Sequence, residues 1–265
     1  MDKSNIITGK YNNYNNLHKI SDYINNINQA NGNTKAHHIW TESINTSETN
    51  DIYKSVEEVR LSEEIMGELN KMYPNSRIKN VRNVDEIYWA VSPKDALGSD
   101  RSLVDCHYDS PFAVLPTNNI IFYRVIIACN ENYTVITSFP NDNIKVTMNT
   151  GDFHGLDYNK DWHCVEGQIP PGNYRVLLKL HYLIIPDSYN DGSIFENIVY
   201  ILNVYWTFFS RQMMRMSAKP QNYIESRVGD SVNISRNIFN NYKPEMYYMF
   251  IMIILALSLV IKYDY

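Results

Sequence analysis

Between residues 84 and 186 the chain breaks into short apolar or alternating runs, including VDEIYWAV, NIIFYRVIIAC, YTVITSF, NIKVTM and YRVLLKLHYLII. Turns rich in Asn, Asp, Gly and Pro separate them. β-branched and aromatic residues dominate the runs, and such residues pack well on a pleated surface but lose rotamer freedom in a helix. One short strand cannot hide an apolar face alone. Many of them in succession must close on each other as a sandwich or barrel. At 265 residues and 44% hydrophobic side chains the chain can bury one sizeable core. The expected fold is therefore mainly β, a sandwich or barrel with flanking α-helices and a C-terminal hydrophobic helix.

Four segments follow from the pattern. Residues 1–50 are dominated by Asn, with Leu17, Ile20, Ile24 and Ile27 at helical spacing, and are expected to form a polar, partly mobile arm with one weak helix. Residues 51–190 hold the β core and a leading amphipathic helix. In that helix Ile52, Val56, Val59, Ile65, Leu69 and Met72 make one stripe, which Pro74 ends. Residues 191–243 read as a long amphipathic helix followed by a basic linker. Residues 244–265 read as a membrane anchor.

The anchor rests on the stretch from Met246 to Ile261, sixteen residues with no charge, whose only hydroxyls are those of Tyr247, Tyr248 and Ser258. As a helix it spans about 24 Å, short of the roughly 30 Å hydrocarbon core. Tyr247, Tyr248 and Tyr263 at headgroup depth, with Lys243 and Lys262 snorkelling, make up most of the difference. Packing as a buried core helix is the alternative. The N-terminal residues contain no apolar stretch of the kind a secretory signal needs, so a tail anchor is expected. Arg227, Arg236 and Lys243 precede the span and Lys262 follows it, which would keep the globular part cytosolic.

The net charge of -5 carries no electrostatic footprint for a nucleic-acid backbone. The three cysteines, Cys106, Cys129 and Cys164, lie within apolar stretches and form no CxxC pair, so they are expected to be buried free thiols in a reducing compartment. The sequons at Asn45, Asn132 and Asn233 are then expected to be unused.

Within the β pattern, LVDCHYDSPF places His107 and Asp109 two positions apart. Side chains alternate across a strand, so both point the same way. An open Fe(II) site needs two neutral imidazoles and one carboxylate on one face of the ion. His163, in a short strand-like run with Cys164 and Val165, is the nearest fit for the second imidazole, with His154 as the alternative. Arg175 opens the strongest apolar strand twelve residues later, where a guanidinium could grip a carboxylate through two parallel bonds.

Taken in order, HYD, YRVIIACNENYTVITSFP, TGDFHGLDYNKDWHCV and PPGNYRVLLKL resemble the core of the Fe(II)- and 2-oxoglutarate-dependent dioxygenases, most closely the prolyl 4-hydroxylase branch. The resemblance covers roughly residues 84–186 and implies a double-stranded β-helix. It implies that His107, Asp109 and His163 bind Fe(II), and that Arg175 holds the distal carboxylate of 2-oxoglutarate. Tyr123 is a lesser co-substrate contact and Lys179 the fallback acid partner; ascorbate is a further candidate cofactor. Where that branch has a Gly-Gly turn before TxFP, this chain has Glu131-Asn132-Tyr133, so the substrate does not carry over. Two other readings keep the fold. One is a structural or interaction protein apposed to a membrane, for example in a viral particle; the other is a metal enzyme that uses the triad without 2-oxoglutarate.

Overall fold

The computed structural model describes residues 4–33, 36–91, 106–107, 109 and 120–189, with scattered positions from 194 to 227. The 246–261 segment lies outside the described residues. Among them, no helix is long and apolar enough to cross a membrane.

Among the described residues, ten strands and three α-helices with assigned bounds follow in chain order. They are β1 (Ile7–Lys10), α1 (Tyr14–Ala30), β2 (His37–Trp40), α2 (Asn50–Arg60), α3 (Glu63–Met72), β3 (Ser76–Asn80) and β4 (Glu86–Val91). Then come β5 (Ile121–Ala128), β6 (Ile136–Phe139), β7 (Ile144–Thr147), β8 (Asp152–Asp157), β9 (Cys164–Glu166) and β10 (Tyr174–Pro186). A seven-stranded sheet runs β1-β8-β5-β10-β4-β2, with β3 added to the far end of β10, and a three-stranded sheet runs β7-β6-β9. Every pairing within them is antiparallel.

Strand β10 organises the larger sheet, because its thirteen residues pair with β4, β5 and β3. It is buried along both faces, which explains its near-continuous apolar run. Val176, Leu178, Leu180, Tyr182 and Ile184 pack into one cluster with Leu17, Ile20 and Ile24 of α1, Val56 and Val59 of α2, and Ile65 and Leu69 of α3. Leu177, on the opposite face, joins Tyr88, Ile126 and Leu156 in a second cluster with Phe139 of β6 and Val146 of β7. This second cluster lies between the two sheets, an arrangement consistent with a jelly roll.

Two expectations change. The Asn-rich start is structured: β1 adds an edge to β8, and the stripe from Leu17 to Ile24 is completely buried. The apolar period outweighs the polar composition, because burying that stripe against the sheet is worth far more than exposed Asn propensities cost. The leading helix is two helices. Ser62 caps α3, its hydroxyl accepting from the Ile65 amide at 3.4 Å, with Glu63 and Glu64 in the first turn. The signal was present as Ser-Glu-Glu inside the periodic run.

Candidate metal centre

A tight carboxylate-bearing turn follows β8 and sets the direction of the chain into β9. Asp161 Oδ2 accepts from the Asp157 amide at 2.6 Å, and Asp157 Oδ1 accepts from the Asn159 amide at 2.9 Å. Burial pushes the Asp161 carboxyl up to about 7, partly offset by the Asp157 amide, and burial likewise raises Asp157. The turn delivers His163, only 3% exposed, to the edge of the smaller sheet. Its Nδ1 lies 3.1 Å from the Asp161 carbonyl oxygen. A carbonyl can only accept, so Nδ1 carries a proton, and in the neutral ring the lone pair is on Nε2. That is the tautomer a metal-ligating histidine needs, fixed by the kind of outer contact such ligands use.

His107 faces it across an isolated antiparallel bridge. The His107 amide donates to the His163 carbonyl at 2.8 Å, and the His163 amide donates back at 3.1 Å. Directly opposed residues share a face, and the two ring centroids are 4.6 Å apart. Asp109, two residues on, completes a group with one donor atom each from His107, Asp109 and His163, all within 4.8 Å of one another. Three atoms so spaced surround a point at most about 2.8 Å from each, a short inward movement from bonds of about 2.1 Å to a metal. Two imidazoles and one carboxylate match the donor set of non-haem Fe(II) with open positions, and the residues present fit that ion.

Arg175 is buried at the start of β10, on the inner face. Its Nη1 donates to Asn132 Oδ1 at 3.0 Å, and its guanidinium carbon lies 5.3 Å from the Tyr88 ring centroid. Lys179, four residues along the same face, is committed elsewhere: its Nζ is 3.4 Å from Glu86 Oε1. Arg124 Nη2 lies 3.6 Å from the same oxygen. Arg124 Nε also donates to His181 Nε2 at 2.9 Å, so that nitrogen must accept and the proton sits on Nδ1, 3.0 Å from Asp85 Oδ1. Asp85 in turn pairs with Arg60 of α2 at 2.6 Å, both side chains fully buried. A chain of opposite charges thus holds the larger sheet to its helices.

The structure brings His107, Asp109 and His163 together, and places Arg175 on the inner face. Tyr123 is not with them. It lies on the other face of β5 from Arg124, fully buried against the helical layer, and its hydroxyl donates to the Asn5 carbonyl at 2.6 Å. Strand alternation, invisible until the register of β5 is known, is the reason. Gly155 makes room for it, since a Cβ there would come within 2.5 Å of the Tyr123 ring. His154 is fully buried on β8 with Nδ1 3.1 Å from Met148 Sδ, and lies outside the donor group. Phe139 touches both imidazoles, with centroids 5.9 Å from His154 and 5.9 Å from His163.

Sequence reasoning missed Asn132 and Tyr88. Asn132 stands where a glycine turn was expected, and the next residue, Tyr133, keeps the left-handed backbone a glycine would favour, at φ 53°. The thiol expectation is overturned for two of the three cysteines: Cys106 and Cys164 form a disulfide, while Cys129 is free and buried. The 107↔163 bridge puts residues 106 and 164 opposite each other, a neighbourhood their separation of 58 residues conceals.

Solved structures this chain resembles include Fe(II)- and 2-oxoglutarate-dependent oxygenases, several of them prolyl hydroxylases. A non-heme alpha-ketoglutarate-dependent carbocyclase from nogalamycin biosynthesis aligns at TM-score 0.47 and 12% identity, over 71% of this chain and 85% of that one. A Pseudomonas putida prolyl-4-hydroxylase aligns at TM-score 0.41 and 10% identity, over 69% and 94%. The viral collagen prolyl hydroxylase of Paramecium Bursaria Chlorella virus-1 aligns at 0.42 and 9%, over 69% and 97%. No family model and no curated protein matches the sequence.

Proposed function

We propose that this protein is an Fe(II)- and 2-oxoglutarate-dependent oxygenase that hydroxylates its substrate. The observation that carries this reading is the His107, Asp109 and His163 donor group, spread over no more than 4.8 Å. His107 and His163 supply neutral nitrogens and Asp109 a charged oxygen, all from one side, so the other side of an ion stays open to small molecules. When bound, the iron and keto acid supply the oxidising chemistry, consuming dioxygen and releasing succinate and carbon dioxide. The Asp161 carbonyl keeps the His163 ring oriented with Nε2, not Nδ1, as the nitrogen available to a metal.

Arg175 holds the distal carboxylate of 2-oxoglutarate. Lys179, the fallback, has its Nζ 3.4 Å from Glu86 Oε1. Asn132 grips one arm of the Arg175 guanidinium through its side-chain amide oxygen, which aims it. The Tyr88 ring beneath the guanidinium restricts it further. The same reading keeps residues 246–261 as a membrane anchor, supported by their composition alone. Lipid and membrane-protein substrates then suit the site.

The test is conversion of 2-oxoglutarate to succinate by the full chain supplied with Fe(II). Slow turnover is expected even without a second substrate. His107→Ala and Asp109→Ala are expected to abolish it, and Arg175→Ala to raise the 2-oxoglutarate needed for half-maximal rate at least tenfold. A wild-type chain that forms no succinate above the iron-free background contradicts the reading.

A further inference from the structure

The two imidazoles of the donor group meet at the smaller sheet. His163 leads into β9, whose Cys164, Val165 and Glu166 pair with Ser138, Thr137 and Ile136 of β6. It also has the Asp157–Asp161 turn behind it. His107 is paired to His163 through an antiparallel bridge. A slip of one residue in that pairing would turn a side chain to the opposite face.

The disulfide removes that freedom. His107 and His163 exchange both backbone hydrogen bonds, so the adjoining pair, Cys106 and Cys164, is the close, non-hydrogen-bonded kind, with side chains on the opposite face from the imidazoles. Cys164 is itself locked in β9 by its pairing with Ser138. The covalent bond therefore fastens the residue before one ligand to the residue after the other. The sulfurs stay on the reverse side, clear of the donors. Cys106 is half-buried, which leaves the bond within reach of a reductant, while the third cysteine, Cys129, is completely buried.

We propose that the Cys106–Cys164 disulfide is the positioning element of the metal centre: it pins His107 opposite His163, and opening it weakens metal binding while the sheets stay folded. This rests on the reading of His107, Asp109 and His163 as metal ligands. Opening is a two-electron thiol–disulfide exchange. A dithiol reductant attacks as its thiolate, the protein S–S bond breaks, and the reductant closes its own disulfide. Its two thiol protons end on Cys106 and Cys164. Metal affinity of the chain would then follow the thiol–disulfide balance around it.

Mn(II) binding, followed by the loss of its free-ion electron paramagnetic resonance signal, tests the proposal without any turnover. The samples are the oxidised full chain, the same chain reduced with a dithiol, and Cys106→Ser, a change at a half-buried position outside the strands. Circular dichroism checks that each sample is folded. The reduced and Cys106→Ser proteins are expected to bind Mn(II) about 10–100-fold more weakly, as lost outer support of a ligand typically costs. Re-oxidation of the reduced wild type should restore the affinity. A thiol count on the denatured, unreduced chain should find one, that of Cys129. Equal affinity of oxidised and reduced protein overturns the proposal, as does a count of three thiols. Failure of the oxidised chain to bind Mn(II) or Fe(II) at all would instead overturn the metal-centre reading.

Discussion

The two sheets do different work with the same backbone geometry. The seven-stranded sheet is organised by a thirteen-residue strand, backed by three helices and crossed by the Arg60–Asp85–His181–Arg124–Glu86 series of buried polar groups. The three-stranded sheet has strands of four, four and three residues and reaches His107 through one bridge and one disulfide. Apolar burial and paired charge hold the first rigid. In the second, short strands hold an imidazole at their edge, and a covalent bond beside the bridge fastens its partner. Stability and chemistry are therefore segregated, and substitutions in the two regions should fail in different ways.

The sharpest way to break that contrast is Asp85→Ala. It takes one of two carboxylates from the fully buried Arg60 guanidinium, leaving it only Glu57, and removes the acceptor for the His181 amide at 2.6 Å. A loss of about 3–5 kcal/mol is expected from the urea unfolding midpoint, as for other broken buried pairs. Gly155→Ala comes next. Its new methyl would press on Tyr123 and Ile7 at 2.5 and 2.8 Å, an overpacking cost of about 1–3 kcal/mol in the same assay.

In the smaller sheet the order reverses. His107→Ala, at a half-buried position, should cost less than about 1 kcal/mol of metal-free stability, as substitutions away from a packed core usually do. A large loss of stability there would mean that the site edge is as structural as the main sheet. Asn132→Ala removes the hydrogen bond to Arg175 and should raise the half-saturating 2-oxoglutarate concentration about two- to tenfold, the worth of one ordinary hydrogen bond. Smallest of all is the response of Cys129. Burial pushes its thiol up to about 12, so almost no thiolate exists between pH 7 and 10. Iodoacetamide should leave it unmodified across that range until the chain is unfolded.

How much could be read beforehand follows the same division. The main-sheet strands were legible because long apolar runs carry their own period, and β4, β5 and β10 fall on VDEIYWAV, NIIFYRVIIAC and YRVLLKLHYLII. His107, Asp109 and His163 were legible as an ordered set of chemically matched residues, and their donor atoms do come together. Which face each strand turned inward was not, because that depends on pairing register; Tyr123, one residue from the inward-facing Arg124, points the other way. Asn132 was concealed because its role comes from a contact with Arg175, 43 positions away. Cys106 and Cys164 were hidden in the same fashion, since only the 107↔163 bridge makes them neighbours.

Anaerobic titration of the full chain with Fe(II), read by equilibrium dialysis, bears most directly on the metal centre. Wild type should bind one ion per chain, and His107→Ala and Asp109→Ala should each bind at least a hundredfold more weakly. Binding that is undiminished in both variants, or absent in the wild type, would contradict the assignment of these side chains as iron ligands.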